Sequence, residues 1–508
     1  MARAKSDATS YWSKSATFPV FAKLADDATA DVVIVGGGIT GLTAAYLLAK
    51  ARKRVILLER GRCAAIDTGH TSAHLTMVTD ASLSELAKAF GRTHAQAAWD
   101  AGLAAIAKID DIIHEHDIDA GFKRVDGYLH TPCVGAASDQ PARLEADAKL
   151  AAELGFDAEY LQPVPLVNRP GVRFADQARI HPRKYLAALA KTIVSLGGRI
   201  HEYSEVDEFC NDPRRVMVDK YTVRCEDVVV ATHNPIVGFG GMVGATLFQT
   251  KLALYTSYVI SGAVARGVVP DALWWDTADP YQFVRIDPRR HHDVIIFGGE
   301  DHKTGQEEDT EAHFRRLENH LRAIVPSVEV EHRWSGQVIE TPDDLPYIGQ
   351  SADHQYSATG YAGNGLTFGT LAGMLISDAL LGRSNPWTEL FDPGRKAITR
   401  GLWDYVKENA DYPYYLIRDR LSRPDSKSLR AVKRGQAMII DRNGAKVAAY
   451  RDKEGAVTLR SAVCTHMGCQ VVWNPAEQTW DCPCHGSRFT PTGEVISGPA
   501  EAPLPEAQ

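Results

Sequence analysis

Two short loops late in the chain each set a cysteine beside a histidine, and they limit the fold more than any other stretch. They read Cys464-Thr465-His466-Met467-Gly468-Cys469 and Cys482-Pro483-Cys484-His485-Gly486-Ser487. The patterns are C-x-H and C-x-x-H, so each loop offers one thiolate and one imidazole. Zinc sites of the Cys2His2 kind pair like with like, as C-x2-4-C and H-x3-5-H, and a zinc reading leaves Cys469 and Cys484 unused. A plain disulfide pair is the other competing reading. Two thiolates plus two imidazoles are also the ligand set of one type of 2Fe–2S cluster, with both histidines on one iron.

The two loops resemble those of the Rieske proteins of respiratory cytochrome bc complexes. The resemblance implies a 2Fe–2S cluster held by Cys464 and Cys482 on one iron and by His466 and His485 on the other. It also implies a disulfide between Cys469 and Cys484, tying the loops together, and it likens Gly498-Pro499-Ala500 to the loop that covers the cluster. Short strands are expected at Ala437–Ile440, Lys446–Tyr450, Val457–Ser461 and Gln470–Trp473, so the last domain, 433–508, reads as all-β.

A chain of 508 residues is too long for one core. The segment Asp31–Val35 is a β-branched run suited to a buried parallel strand. Gly36, Gly38 and Gly41 then form G-x-G-x-x-G ahead of a helix at Leu42–Ala51, and Arg54–Glu59 is a second strand ending in an acid. This order suits a dinucleotide: a tight turn, a close approach for pyrophosphate, a helix N-terminus, and Glu59 for a ribose hydroxyl. An acid there argues against a 2′-phosphate, hence against NADP.

Four further segments occur in order: Glu226–His233 with Ala231-Thr232, Arg333–Gly336, Thr341–Gly349, and Ala358–Thr367 opening an apolar helix through Leu381. Together with the nucleotide turn they resemble the D-amino-acid-oxidase/glycine-oxidase family of flavoproteins over residues 31–385. The resemblance implies FAD, with backbone amides of Gly363, Asn364, Gly365, Leu366 and Thr367 at the pyrimidine side of the flavin. It assigns further FAD contacts to Ile39, Thr40, Arg60, Thr68, Thr71 and Val206. The loop Asp67–His74 corresponds to one over the flavin pyrophosphate. His70 is where some relatives attach FAD covalently, but Gly69 replaces their tryptophan, and a hydrogen-bonding His70 is expected.

The expected architecture is an α/β Rossmann-type FAD-binding domain with an inserted α+β substrate domain, followed by the Rieske domain. The first domain occupies 1–390, with FAD-binding parts near 31–80, 180–245 and 330–385 and substrate-domain parts near 120–180 and 245–330. Residues 391–432 read as linker, 82–116 as helical scaffold, and 1–30 as a lead-in that docks through Trp12, Phe18 and Phe21. Tyr281, Phe283 and Arg285 alternate onto one strand face. If that face meets the flavin, Tyr281 and Arg285 are substrate-binding candidates, Arg285 as a bidentate carboxylate clamp. His313 and His320 read as surface residues, and Cys63, Cys133, Cys210 and Cys225 as small buried side chains.

A flavin takes two electrons as hydride and a 2Fe–2S cluster carries one, so the pair reads as a converter. The expected function is an FAD-dependent dehydrogenase that oxidises the C–N bond of an amine or amino acid and passes electrons singly to an acceptor protein. Two alternatives are a flavin monooxygenase fed through the cluster, and a redox sensor or electron carrier with no substrate. A dioxygenase would need a 2-His-1-carboxylate iron site, and none is evident. The net charge of −8 argues against a nucleic-acid partner, and no apolar run approaches the ~20 residues of a membrane span. With no signal-peptide pattern at the start, a cytoplasmic location is expected.

In the respiratory proteins a serine and a tyrosine after the second loop donate hydroxyl bonds to the cluster sulfurs. Here Ser487 keeps the first donor, while Phe489 stands at the tyrosine position. Such donors stabilise the reduced cluster, and Rieske potentials span roughly −150 to +300 mV. The potential should therefore fall below the respiratory range and above that of Rieske oxygenases. A spectroscopic redox titration should find it raised by Phe489→Tyr and lowered by Ser487→Ala; an unchanged Phe489→Tyr refutes the argument.

Overall fold

The run Val32–Val35 is buried along its whole length and forms a central strand of a six-stranded sheet. Its order is Tyr347–Ala352, Gln355–Thr359, Asp227–Val230, Val32–Val35, Val55–Leu58, Arg199–His201, parallel except for the first pair. The computed structural model describes residues 9–133, 138–235, 238, 252–307, 309–395, 425–426, 428–442, 444–466 and 468–507. Helix Ile39–Lys50 follows the first strand, and helix Gly365–Leu380 packs across it. Glycines let them approach: a Cβ on Gly373 would lie 2.7 Å from Thr43 Cβ.

The inserted region builds a nine-stranded sheet from strands on both sides of the nucleotide fold. Long strands Ala253–Val264, Asp293–Lys303 and Glu329–Glu340 pair antiparallel at one end, and Lys123–His130 pairs with Gly171–Arg179 at the other. The scaffold region is two helices, Leu83–Phe90 and Arg92–Glu115. The first is capped by Ser82 and Glu85, and the break falls at Gly91, with φ of 85°.

Before the first strand, a short helix, Tyr11–Ser15, buries Tyr11 and Trp12 against the body. Phe18 is buried too, while Phe21 is half-buried. Trp12 Nε1 donates to Thr71 O (2.7 Å) and Ser10 Oγ to Gly69 O (2.7 Å), so this strap holds the 67–72 loop from behind.

The C-terminal domain consists of two small antiparallel sheets. One contains Gln436–Arg442, Ala445–Arg451 and Val457–Ser461; the other contains Val472–Asn474, Thr479–Asp481, Arg488–Phe489 and Val495–Ser497. Asp425 pairs with Ile439 through backbone and carboxylate bonds, so residues from 425 already pack on this domain. Most of the expected linker, 396–424, lies outside the described residues. The domain seats on helix Thr310–Ile324 and strand Glu329–Glu340. Thr310 Oγ1 donates to Asn474 Oδ1 (2.7 Å), Ser335 Oγ donates to Glu477, and Ala476 joins the core containing Phe314 and Leu317.

Three expectations need correction. Arg285 is not a substrate clamp: it is fully buried, and its Nη1 donates to Ala73 O (2.5 Å) and Ile180 O (3.1 Å). Its guanidinium lies over the Trp12 ring at 5.4 Å. The period-2 reading of the strand holds, but beyond Phe283 the N-terminal strap and residue 73 cover that face. His313 is buried rather than on the surface, since it shares the apolar helical stripe of Leu317 and Leu321 and stacks on Tyr258 at 4.8 Å. His320 is exposed. Among the scattered cysteines, Cys63 and Cys225 are buried, but Cys210 is half-buried and Cys133 exposed.

Burial pulls the Arg285 guanidinium down to about 10, which leaves it charged near neutrality. Replacing it with Met strands two buried carbonyls. Arg285→Met should therefore lower unfolding free energy by about 3 kcal/mol in denaturant melts, with no change in preference between acidic and simple amine substrates.

Candidate functional site

A cavity of about 830 Å³ runs from the C-terminal edge of the six-stranded sheet to the inner face of the nine-stranded one. All the residues expected to hold FAD line it except Gly41, Asn364 and Thr367. Gly41 works from behind, since a Cβ there would lie 2.0 Å from Gly36 O. Asn364 faces away and donates from Nδ2 to Val78 O (2.7 Å). Thr367 is fully buried within its helix.

The turn itself is built for close backbone approach. Gly36 has φ of +110°, and a Cβ there would meet Ala231 O at 2.5 Å. Glu59 accepts from Gly37 N (2.7 Å) and Gly61 N (2.8 Å), which sets the turn while leaving carboxylate lone pairs for a ribose. Burial raises its pKa, and those two amides oppose the rise. Thr68 Oγ1 accepts from Ile39 N (3.2 Å) at the start of the helix. The donor set, the glycine cradle and the cavity's length fit FAD.

His70 lines the cavity, and burial pushes its imidazole down to about 4, so it is neutral near pH 7. A Cβ on Gly69 would lie 2.5 Å from Ala64 O, so the backbone here admits no tryptophan. Asp67 pairs with His233 (2.9 Å). Burial would raise the Asp67 carboxyl, but His233, with His70 and Arg488, offsets this and holds it low.

At the far end, Tyr281, Phe283 and Ser257 line the cavity beside Gly363. Gly363 N donates to Asp80 Oδ2 (3.0 Å), and a Cβ on Gly363 would lie 2.5 Å from the Tyr281 hydroxyl. Asp301 lies behind Ser257, which hydrogen-bonds it, and its Oδ1 is buried without a partner. Burial raises Asp301 to about 7, and Asp80 adds to the rise. Burial likewise holds the Tyr281 phenol well above its usual range, reinforced by Asp80, Asp301 and Glu340. Among the described residues the arginines lining the cavity are Arg60 and Arg62, both on the segment that follows Glu59. Tyr281 is a candidate from the sequence, whereas Asp80 and Asp301 escape it because they come from distant segments with no shared motif.

The second centre lies in the C-terminal domain. Cys464 and Cys482 are each 2% exposed, and the His466 and His485 rings meet edge to face at 4.9 Å. Both ring nitrogens of His466 are buried with no hydrogen-bond partner, as metal ligands would be. Cys469 and Cys484 are joined by a disulfide. The sulfurs of Cys469, Cys482 and Cys484 lie within 4.8 Å of one another, but the disulfide removes two of them as thiolates. Two thiols and two imidazoles remain, and they fit a 2Fe–2S cluster.

The loops close by Cys464 N to Cys469 O (2.8 Å) and Cys482 N to Ser487 O (2.8 Å). The second loop lies on the flavin-bearing part of the chain. Gln337, on the cavity wall, donates from Nε2 to Gly486 O (2.7 Å), and Gln306 Nε2 donates to Pro483 O (3.2 Å). Sequence reasoning missed Gln337, since it sits in an ordinary strand.

Comparison with known proteins agrees with both centres. The profile of the FAD-dependent oxidoreductase family matches residues 31–379, and that of the Rieske [2Fe-2S] domain matches 425–508. The Bacillus subtilis protein YhfW, which carries a Rieske 2Fe-2S iron-sulfur name, is 33% identical over 99% of this chain and 98% of its own. Gamma-glutamylputrescine oxidoreductase of Escherichia coli is 24% identical over 81% of this chain and 98% of its own. The crystal structure of glycine oxidase from Geobacillus kaustophilus superposes with a TM-score of 0.61 at 18% identity, covering 73% of this chain and 99% of that one. Among the described residues no helix is long and apolar enough to cross a membrane. The chain therefore belongs to the FAD-dependent oxidoreductase family and carries a Rieske [2Fe-2S] domain, with FAD and the cluster as its cofactors.

Proposed function

We propose that this oxidoreductase is an amine dehydrogenase, taking a cationic amine without a required carboxylate and sending its electrons out through the Rieske cluster. In the reaction the ammonium first releases one N–H proton to solvent, the neutral amine then gives up its C–H hydride to leave an iminium ion, and the two electrons depart one at a time to a one-electron acceptor protein. FAD, when bound, supplies the hydride acceptor, and the cluster supplies the one-electron carrier. The observation that carries the electron route is the Gln337 bond to Gly486 O, which joins the cavity wall to the residue after His485.

The substrate reading rests on charge. Asp80, Asp301 and Glu340 act together on Tyr281 at the end where Gly363 enters the cavity, while Arg285 is turned into the core. A carboxylate substrate meets repulsion there, and an ammonium group meets attraction. Tyr281 and Ser257 line this end of the space, and Asp301, which hydrogen-bonds Ser257 from behind the lining, acts on the substrate's nitrogen charge through its field. Gly36, Gly38, Glu59, Arg60 and Val206 hold the nucleotide part of FAD, and Gly363, Gly365 and Leu366 its ring. Similarity to proteins named for oxidation of an amine conjugate and of glycine supports the C–N class.

Anaerobic mixing with a panel of amines and amino acids should bleach the flavin and then reduce the cluster, with simple amines favoured over their carboxylated counterparts. No bleaching by any amine would instead favour a sensor or carrier. Asp301 is raised to about 7, so it is protonated below that pH and ionised above it. Ammonium binding should strengthen as pH rises through about 7, giving kcat/KM an acid limb that Asp301→Asn removes, along with a rise in KM of about tenfold (~1.4 kcal/mol). With FAD in excess, His485→Ala should still bleach the flavin but fail to reduce a one-electron acceptor; normal turnover with that acceptor would sink the electron route.

A further inference from the structure

The cavity that fits FAD is not closed by the flavin-binding part of the chain alone. Residues 496–503 of the Rieske domain, all but Pro499, line it alongside Glu59, Arg60 and Val206. Arg60 Nη2 donates to Ile496 O (2.8 Å) across the joint, and Arg60 also pairs with Glu205 at 3.6 Å. Beyond Ser497 this segment belongs to no strand. It is hung instead from the two cluster loops: Ala500 N donates to Ser487 Oγ (3.1 Å), and Thr465 Oγ1 donates to Ala502 O (2.6 Å). Thr465 lies between the ligands Cys464 and His466, and Ser487 lies two residues after His485. A Cβ on Gly498 would lie 2.6 Å from Ser487 Cα, so segment and loop are in direct backbone contact.

We propose that segment 496–503 is a wall of the FAD site, held in place by the cluster loops, so that FAD affinity and cluster assembly are thermodynamically coupled. Metal–ligand bonds supply folding free energy to the loops that bear them. Loops without a cluster lose that constraint, and the segment fastened to Thr465 and Ser487 loosens with them. FAD filling the cavity favours the seated segment, and linkage makes the effect reciprocal. The inference goes beyond the proposed function, since it holds whatever the substrate and whichever way electrons run.

The test is the Kd for FAD, measured by fluorescence titration of flavin-stripped, full-length protein with neither substrate nor acceptor present. Coupling of the usual size predicts a Kd raised on the order of tenfold in Cys482→Ser, which lacks a cluster. Thr465→Val keeps all four ligands and the shape of the side chain but loses the hydroxyl. It should raise the Kd several-fold while the cluster's absorbance and paramagnetic signals stay as in the wild type. In the converse direction, FAD should protect the cluster of the wild type against a chelator. An unchanged Kd in Thr465→Val, with its cluster intact, overturns the proposal whatever Cys482→Ser does, including failure of that variant's Rieske domain to fold. Equal chelator sensitivity with and without FAD overturns it as well.

Discussion

Arg488 is a buried guanidinium beside the joint between the two cofactor-bearing parts, and it holds the carboxylates through which the Rieske domain seats. It follows Ser487 in the second cluster loop, is 6% exposed, and reaches Glu477 and, at 3.3 Å, Asp481. Glu477 also accepts the Ser335 hydroxyl from the nine-stranded sheet, and Asn474 joins Asp481 to Thr310. Burying such ions gains little stability over a packed apolar joint, and deleting one partner is strongly destabilising. Such a network admits one seating of the domain and penalises others. The field of Arg488 also reaches Asp67 and His70, so a cluster loop, the substrate sheet and the flavin loop share one cation.

The two ends of the FAD cavity present different groups. At the nucleotide end the cavity offers backbone amides, a helix start and Arg60, all suited to phosphate. At the ring end Tyr281 lines it, with the carboxylates of Asp80, Asp301 and Glu340 acting on that phenol from behind the lining. An arginine at the latter place would add the opposite charge. The chain has one on the same strand, Arg285, but the Trp12 ring and the carbonyls of Ala73 and Ile180 hold it in the core.

Local chemistry was legible in the sequence where neighbouring residues carry it. The cluster loops and the glycine turn each work through residues a few positions apart, so their spacing alone names the chemistry. The four segments from Glu226 to Thr367 could be ordered against a known family. Contacts between distant segments left no such trace. The strand period put Arg285 with Tyr281 and Phe283, but nothing local shows that Trp12 covers the strand beyond Phe283. Likewise His313 lies on a stripe with Leu317 and Leu321, a signal that was present but outweighed by the charged composition around it. Gly498-Pro499-Ala500 was legible as a cluster cover, while its second contact, with the flavin cavity, depends on how two domains dock.

The position of the 496–503 segment along the chain bears on how the protein is made. Domains fold roughly in the order in which they leave the ribosome. The nucleotide sheet and the helix Gly365–Leu380 are complete well before residues 381–495 have been translated. Throughout that interval the nascent chain presents a finished dinucleotide fold whose cavity still lacks one side. Flavin can enter from the open side at that stage, before iron and sulfide reach the later loops, so the order of translation favours loading the organic cofactor first.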